Sequence, residues 1–215
     1  MNVEAEQEAC SPVPIVDSCF NPAAVLPYGL KAEHIRAAMS AFLDFLGFVN
    51  SQLHTKDIIR LETMLMPANF SSIVGEFMAS TLPKYCPGII KNKYHNGHPD
   101  LIPAGMFPND AVQHSIHGIE IKASRYLRAW QGHNPEDVWL MVFVFDCNRP
   151  KDITPRPFRF VMVLGAQLSQ SDWLYSGRSE TSRRTITASV TDTGYQKMAA
   201  NWLYRDSGVQ QIKQT

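Results

Sequence analysis

The sequence predicts an α/β (α+β) fold, a central mixed β-sheet flanked by helices and preceded by a helical segment. Three patterns in the chain predict it. Residues 30–82 place apolar side chains at helical spacing, residues 83–164 turn to short alternating or wholly apolar runs, and helical spacing returns near the end. At 215 residues the chain is long enough to bury a core, and one domain over 1–215 is expected.

Each element has its own local reason. Residues 1–29 carry Pro12, Pro14, Pro22 and Pro27 and read as an irregular arm packed on the body or on a partner. Lys31 to Asn50 reads as an amphipathic helix through Ile35, Met39, Phe42, Leu46 and Val49. Thr55 is expected to cap a second helix carrying Ile58, Leu61, Met64 and Leu65. A third is expected from about Ser71 to Leu82, stopped by Pro83. From residue 83 a sheet core is expected. Ile89-Ile90 and Leu101-Ile102 are short strands about an Asn96-Gly97 turn, and Gly118 to Ser124 is an alternating strand. Tyr126 to Asp137 is expected to hold a short helix or turn. Trp139 to Phe145 and Phe158 to Leu164 are apolar throughout, as strands covered on both faces are. Arg184 to Val190 alternates, and a closing helix is expected from about Thr193 to Tyr204.

Composition excludes several classes. No apolar run approaches the ~20 residues needed to span a bilayer, and no basic segment followed by an apolar stretch marks a secretory signal. A cytoplasmic protein with no membrane partner is expected. Cys10, Cys19, Cys86 and Cys147 lack C-x-x-C spacing, which speaks against a zinc knuckle or redox pair. The net charge is zero, so nothing global favours nucleic acid. Basic residues nonetheless collect after the acidic first twenty residues, Lys91 and Lys93 among them, and a cleft lined by some of these suits a phosphate backbone.

The chemistry concentrates at Pro99-Asp100 and Glu120-Ile121-Lys122. Alternation along the 118–124 strand sends Ile119 and Ile121 to one face and Glu120 and Lys122 together to the other. Asp100, opening the preceding strand, supplies a second carboxylate that can converge with Glu120 on a hard cation. Mg²⁺ suits this set because it takes few protein ligands and keeps its waters, with Mn²⁺ able to substitute. The Ile121 backbone carbonyl is a candidate third ligand. Lys122 then orients or activates the attacking water, or stabilises developing charge.

Pro99-Asp100 followed by Glu120-Ile121-Lys122 resembles the motif of the PD-(D/E)XK nuclease superfamily, which includes most Type II restriction endonucleases. The resemblance covers about residues 70–165. It implies a restriction-endonuclease-like core of helix, strand meander, helix and strand. It also implies Mg²⁺-dependent cleavage of double-stranded DNA, commonly by a homodimer with one site per strand. Asp100, Glu120 and Lys122 fall at its catalytic positions, and Glu76 matches an acidic residue that many members contribute from the helix before the meander. Ser124 and Arg125 follow the catalytic strand near where DNA would lie, Arg125 reading a guanine or holding a phosphate. Lys93, His98, Arg183 and Arg184 complete the expected DNA-binding set. The expected activity is sequence-specific endodeoxyribonuclease cleavage. Its rivals are a structure-selective or repair nuclease of the same superfamily and a DNA-binding or assembly protein that kept the fold without catalysis. His98-Pro99-Asp100 is also the J-domain tripeptide, but it lacks that module's two long flanking helices. Glu136-Asp137 reads as a turn or helix-end pair.

Overall fold

Two long helices and a six-stranded sheet build the core of the computed structural model, which describes residues 3–132, 134–176 and 187–208. The arm starts with a short helix, α1 (Val3–Ala9), rather than wholly irregular chain. It is tied to the body by Val13 N–H donating to the Phe158 carbonyl and by the Phe20 ring, whose centre lies 5.0 Å from that of Tyr204.

Helix α2 (Ala32–His54) forms as its periodicity dictates, burying Ile35, Met39, Phe42 and Leu46 on one stripe. It runs through the expected end at Asn50, and Thr55 closes it instead of capping a new helix. The next helical piece is a single turn, α3 (Leu61–Met64), with Ile58 44% exposed. The expected second helix fails because only Leu61 and Leu65 of its apolar residues reach the core, while Ile58 and Met64 stay exposed. Helix α4 (Pro67–Tyr85) starts earlier than expected, with Pro67 preset for a first turn, and continues past Pro83 to Tyr85. Proline there removes only one N–H, and the end is held by Cys86 N–H donating to the Leu82 carbonyl.

Strands β1 (Ile89–Lys91), β2 (Leu101–Pro103), β3 (Ile119–Ser124), β5 (Val138–Asp146), β6 (Arg159–Leu168) and β9 (Trp202–Arg205) form the main sheet in the order β1-β2-β3-β5-β6-β9. The sheet is mixed: β3 and β5 are parallel, every other neighbouring pair antiparallel. A second, antiparallel sheet joins β4 (Gln131–Gly132), β8 (Thr187–Val190) and β7 (Trp173–Ser176).

Two expectations change here. Among the described residues the β3–β5 connection holds β4 and turns, not a helix, so the helix that the family resemblance implies after the meander is missing. The closing helix is shorter: α5 (Asp192–Ala200) is capped by Thr191 Oγ1 accepting the Gly194 N–H at 3.2 Å. Trp202 and Tyr204 then lie on β9, because Leu203 and Tyr204 bury against β6 and the arm. Arg184 and the start of its expected strand lie outside the described residues.

β5 is buried from Val138 to Phe145 because both faces are covered. Met141, Phe143 and Phe145 meet α2 and α4, with Phe42 5.8 Å from Phe160 and Phe70 5.6 Å from Phe145. Leu140, Val142 and Val144 meet Trp130, Trp173, Val190 and Met198 from the second sheet and α5. Each such side chain contributes about 1.5–3 kcal/mol on burial. The molecule is thus a mixed α/β protein whose central sheet is flanked by helices. Among the described residues no helix is long and apolar enough to cross a membrane.

Candidate active site

The register of β3 decides which side chains meet. Ile119 and Ile121 sink into the layer beneath α2 and α4, so Glu120 and Lys122 emerge on the other face, opposite Leu140 and Val142 of β5. On β2, Leu101 pairs with Ile119 and shares its layer, which turns Asp100 to the side of Glu120. That one residue pair is all the ladder β2 and β3 share, and beyond it the strands part. Asp100 fills the gap, its Oδ2 accepting the Ile121 N–H at 2.8 Å. Because N–H and C=O of one strand residue point the same way, the Ile121 carbonyl is directed toward the same gap. Gly118 opens the strand with φ 143°, where a Cβ would come within 2.2 Å of the Leu101 carbonyl oxygen; only glycine permits this approach of β3 to β2.

Asp100, Glu120 and Lys122 border a cavity of about 930 Å³ whose far walls are the 92–98 loop, His114 and Glu136. The loop wall is assembled by one side chain. Asn92 donates through Nδ2 to the Pro99 and Val112 carbonyls and accepts the Tyr94 and Val112 N–H groups through Oδ1.

Electrostatics divides the three residues. Burial pushes the Asp100 carboxyl up, the neighbouring Glu120 charge adds to this, and the Ile121 N–H only partly offsets them. Burial acts on Glu120 in the same direction, but His98 and Lys122 outweigh it and hold its carboxyl below the usual range. Glu120 Oε1 accepts Lys122 Nζ, and His98 Nδ1 lies 3.2 Å from Oε2. Lys122 loses hydration through burial, yet the Glu120 and Asp100 carboxylates keep its ammonium pKa above the ordinary value.

Two neighbouring carboxylates and a strand carbonyl at one cavity wall are hard oxygen donors. This set fits Mg²⁺, which is held through one or two carboxylates and retains water. Among the described residues no group of three or more His, Cys, Asp or Glu side chains is placed to hold a metal ion. A third acidic ligand from Glu76 is therefore not provided. Glu76 borders the cavity, but it is exposed and paired with Lys91 Nζ at 2.8 Å.

The expected DNA-binding residues fare differently. Arg125 turns inward, donating to the Cys147 and Asn148 carbonyls with its guanidinium 5.7 Å from the Phe145 ring centre. Its contacts tie β3 to the end of β5, which replaces the expected reach toward a base or phosphate. Ser124 Oγ accepts the Tyr126 N–H in a local turn. Lys93 borders the cavity but pairs with Asp110 at 3.0 Å. His98 borders the cavity too, with both ring nitrogens set against carboxylates. Arg183 and Arg184 lie outside the described residues.

Sequence reasoning missed Glu136. It stands just before β5, and the parallel pairing of β5 with β3 carries it to the end of the sheet where Glu120 lies. Its Oε2 is 3.3 Å from His98 Nε2, and burial raises its carboxyl pKa although His98 opposes the shift. Its one sequence signal is the start of an all-apolar strand two residues on; the parallel pairing that makes this matter is tertiary. His114 joins through a ring stacked 5.4 Å from His98. No protein-family model, no curated protein and no solved structure matches this chain.

Proposed function

We propose that the protein is a Mg²⁺-dependent endodeoxyribonuclease on a variant restriction-endonuclease-like core, without a described helix between β3 and β5, cleaving double-stranded DNA in the manner of a Type II restriction enzyme. The observation that carries this reading is the convergence of Asp100, Glu120 and Lys122 on one side of a parted strand pair, at the wall of a cavity of about 930 Å³. Asp100 and Glu120, with the Ile121 carbonyl, would hold the cation. Bound there, Mg²⁺ supplies neutralisation of the phosphate oxygens and acidification of an attacking water.

The chain's own residues contribute the rest. The Ile121 N–H fixes one oxygen of Asp100, a residue that borders the cavity. Lys122, kept charged by the two carboxylates, is suited to stabilising charge that grows on the scissile phosphate and not to accepting a proton. A homodimer with one site per strand and a cytoplasmic location complete the reading. A structure-selective or repair nuclease would use the same three residues on a different substrate.

The test is incubation of the purified protein with plasmid DNA and Mg²⁺ or Mn²⁺, followed by sequencing of the ends. Discrete fragments with a common end sequence support the restriction reading. Cleavage confined to branched or damaged DNA transfers the site to a repair nuclease, and duplex binding with no cleavage under either metal overturns catalysis.

A further inference from the structure

The far wall of the cleft holds an arrangement that the three-residue site does not use. His98 stands between two carboxylates, with Nδ1 3.2 Å from Glu120 Oε2 and Nε2 3.3 Å from Glu136 Oε2. The three side chains are only 16%, 11% and 15% exposed, so solvent competes little for these contacts. Nε2 is buried and meets Glu136 off the line of a straight hydrogen bond.

The imidazole is not free to turn. The His98 N–H donates to the Gln113 carbonyl, and the His98 carbonyl accepts the Ser115 N–H, fixing the main chain on both sides. The His114 ring packs on its face. Glu120 is thereby gripped twice: Lys122 takes Oε1 and His98 takes Oε2. Each carboxylate oxygen has a second lone pair, so both grips leave acceptor capacity for a cation.

We propose that His98 is a positioning residue of this site, fixing the rotamer of Glu120 for cation binding through Nδ1, and that Glu136 orients His98 through Nε2. The inference rests on the reading of Glu120 as a cation ligand. Side chains that hydrogen-bond a ligating group commonly change metal affinity by 10–100-fold when removed.

The two nitrogens give the test its resolution. An asparagine amide reaches the place of Nδ1 and a glutamine amide the place of Nε2, so His98→Asn keeps the grip on Glu120 and His98→Gln keeps only the contact with Glu136. Calorimetric titration of Mn²⁺ into DNA-free wild type, H98A, H98N and H98Q, with a melting curve for each, reads this directly. The expected result is a Kd raised about 10–100-fold in H98A and H98Q, with H98N close to wild type. The Asn–Gln pair keeps the comparison intact should H98A fail to fold. Mn²⁺ binding in H98Q equal to wild type, or equal weakening in H98N and H98Q, overturns the positioning role while leaving the nuclease reading in place. Wild type that takes up no Mn²⁺ overturns that reading, and this inference with it.

Discussion

Asp100 and Ile121 are joined by a hydrogen bond of 2.8 Å from the main-chain N–H of one strand to the carboxylate of another. The bond holds a carboxyl group in place beside Glu120, whose charge opposes it. Asp100→Asn preserves an acceptor for that N–H and removes the repulsion. The variant is expected to fold and to lose cleavage by roughly 100-fold or more. Its stability should also respond differently to pH. A carboxyl whose pKa is raised on folding is destabilising once it must ionise, so wild-type stability falls as pH rises from the ordinary carboxylate range toward the raised value. Denaturant midpoints across that range should show a flatter profile for the Asn variant; parallel profiles would contradict the burial argument.

Lys122→Met keeps the stem and removes the ammonium. Cleavage should drop by about 100-fold or more, with Mn²⁺ binding retained because both carboxylates remain. Single-turnover cleavage and a metal titration on one preparation check both halves. Turnover at the wild-type rate would move the catalytic cation elsewhere.

Asp172 is a buried carboxylate away from the cleft. Burial alone would push its carboxyl up, but Lys197 Nζ at 2.7 Å and the N–H and hydroxyl of Ser169 outweigh burial and lower it. Asp172→Asn should cost about 2 kcal/mol, a figure discounted because Lys197 is half-exposed. The melting temperature then falls by roughly 4–8 °C. A group with a lowered pKa stabilises above its unfolded value, so this difference should shrink as pH drops through the folded pKa. Calorimetry at neutral and acid pH measures it.

Gly118→Ala places a methyl against the Leu101 carbonyl at a φ of 143°. It should destabilise by more than about 1 kcal/mol and lower cleavage, since the clash lies where β2 and β3 bring Asp100 to Glu120. Gly105→Ala, also at positive φ but with nothing within 4 Å, incurs only backbone strain. Equal activity in the two variants would show that the strand approach is not critical.

Much of the fold is legible in the sequence because local pattern and burial agree. The alternation of Ile119 and Ile121 with Glu120 and Lys122, and the unbroken apolar run of β5, state their own environments. Tyr195, Met198 and Trp202 also follow a helical period, yet the chain leaves the helix after Ala200 so that Leu203 and Tyr204 can reach the sheet. That choice is made by β6 and the arm, outside any local window. The triplet of Asp100, Glu120 and Lys122 can be read because alternation puts Glu120 and Lys122 on one face and Asp100 opens the strand before them. Glu136 cannot, since a parallel pairing brings it in across a connection with no helix among its described residues to announce it. Arg125 escapes local reading because its partners are the main-chain carbonyls of Cys147 and Asn148, which no side-chain pattern marks.

The four hydrogen bonds at Asn92 carry a consequence for association. They lock the cleft rim to the neighbouring segment while the chain folds, so little ordering of that wall is left for the moment a substrate arrives. A ligand entering the cleft should therefore meet a finished mould, with a modest entropic penalty from this rim.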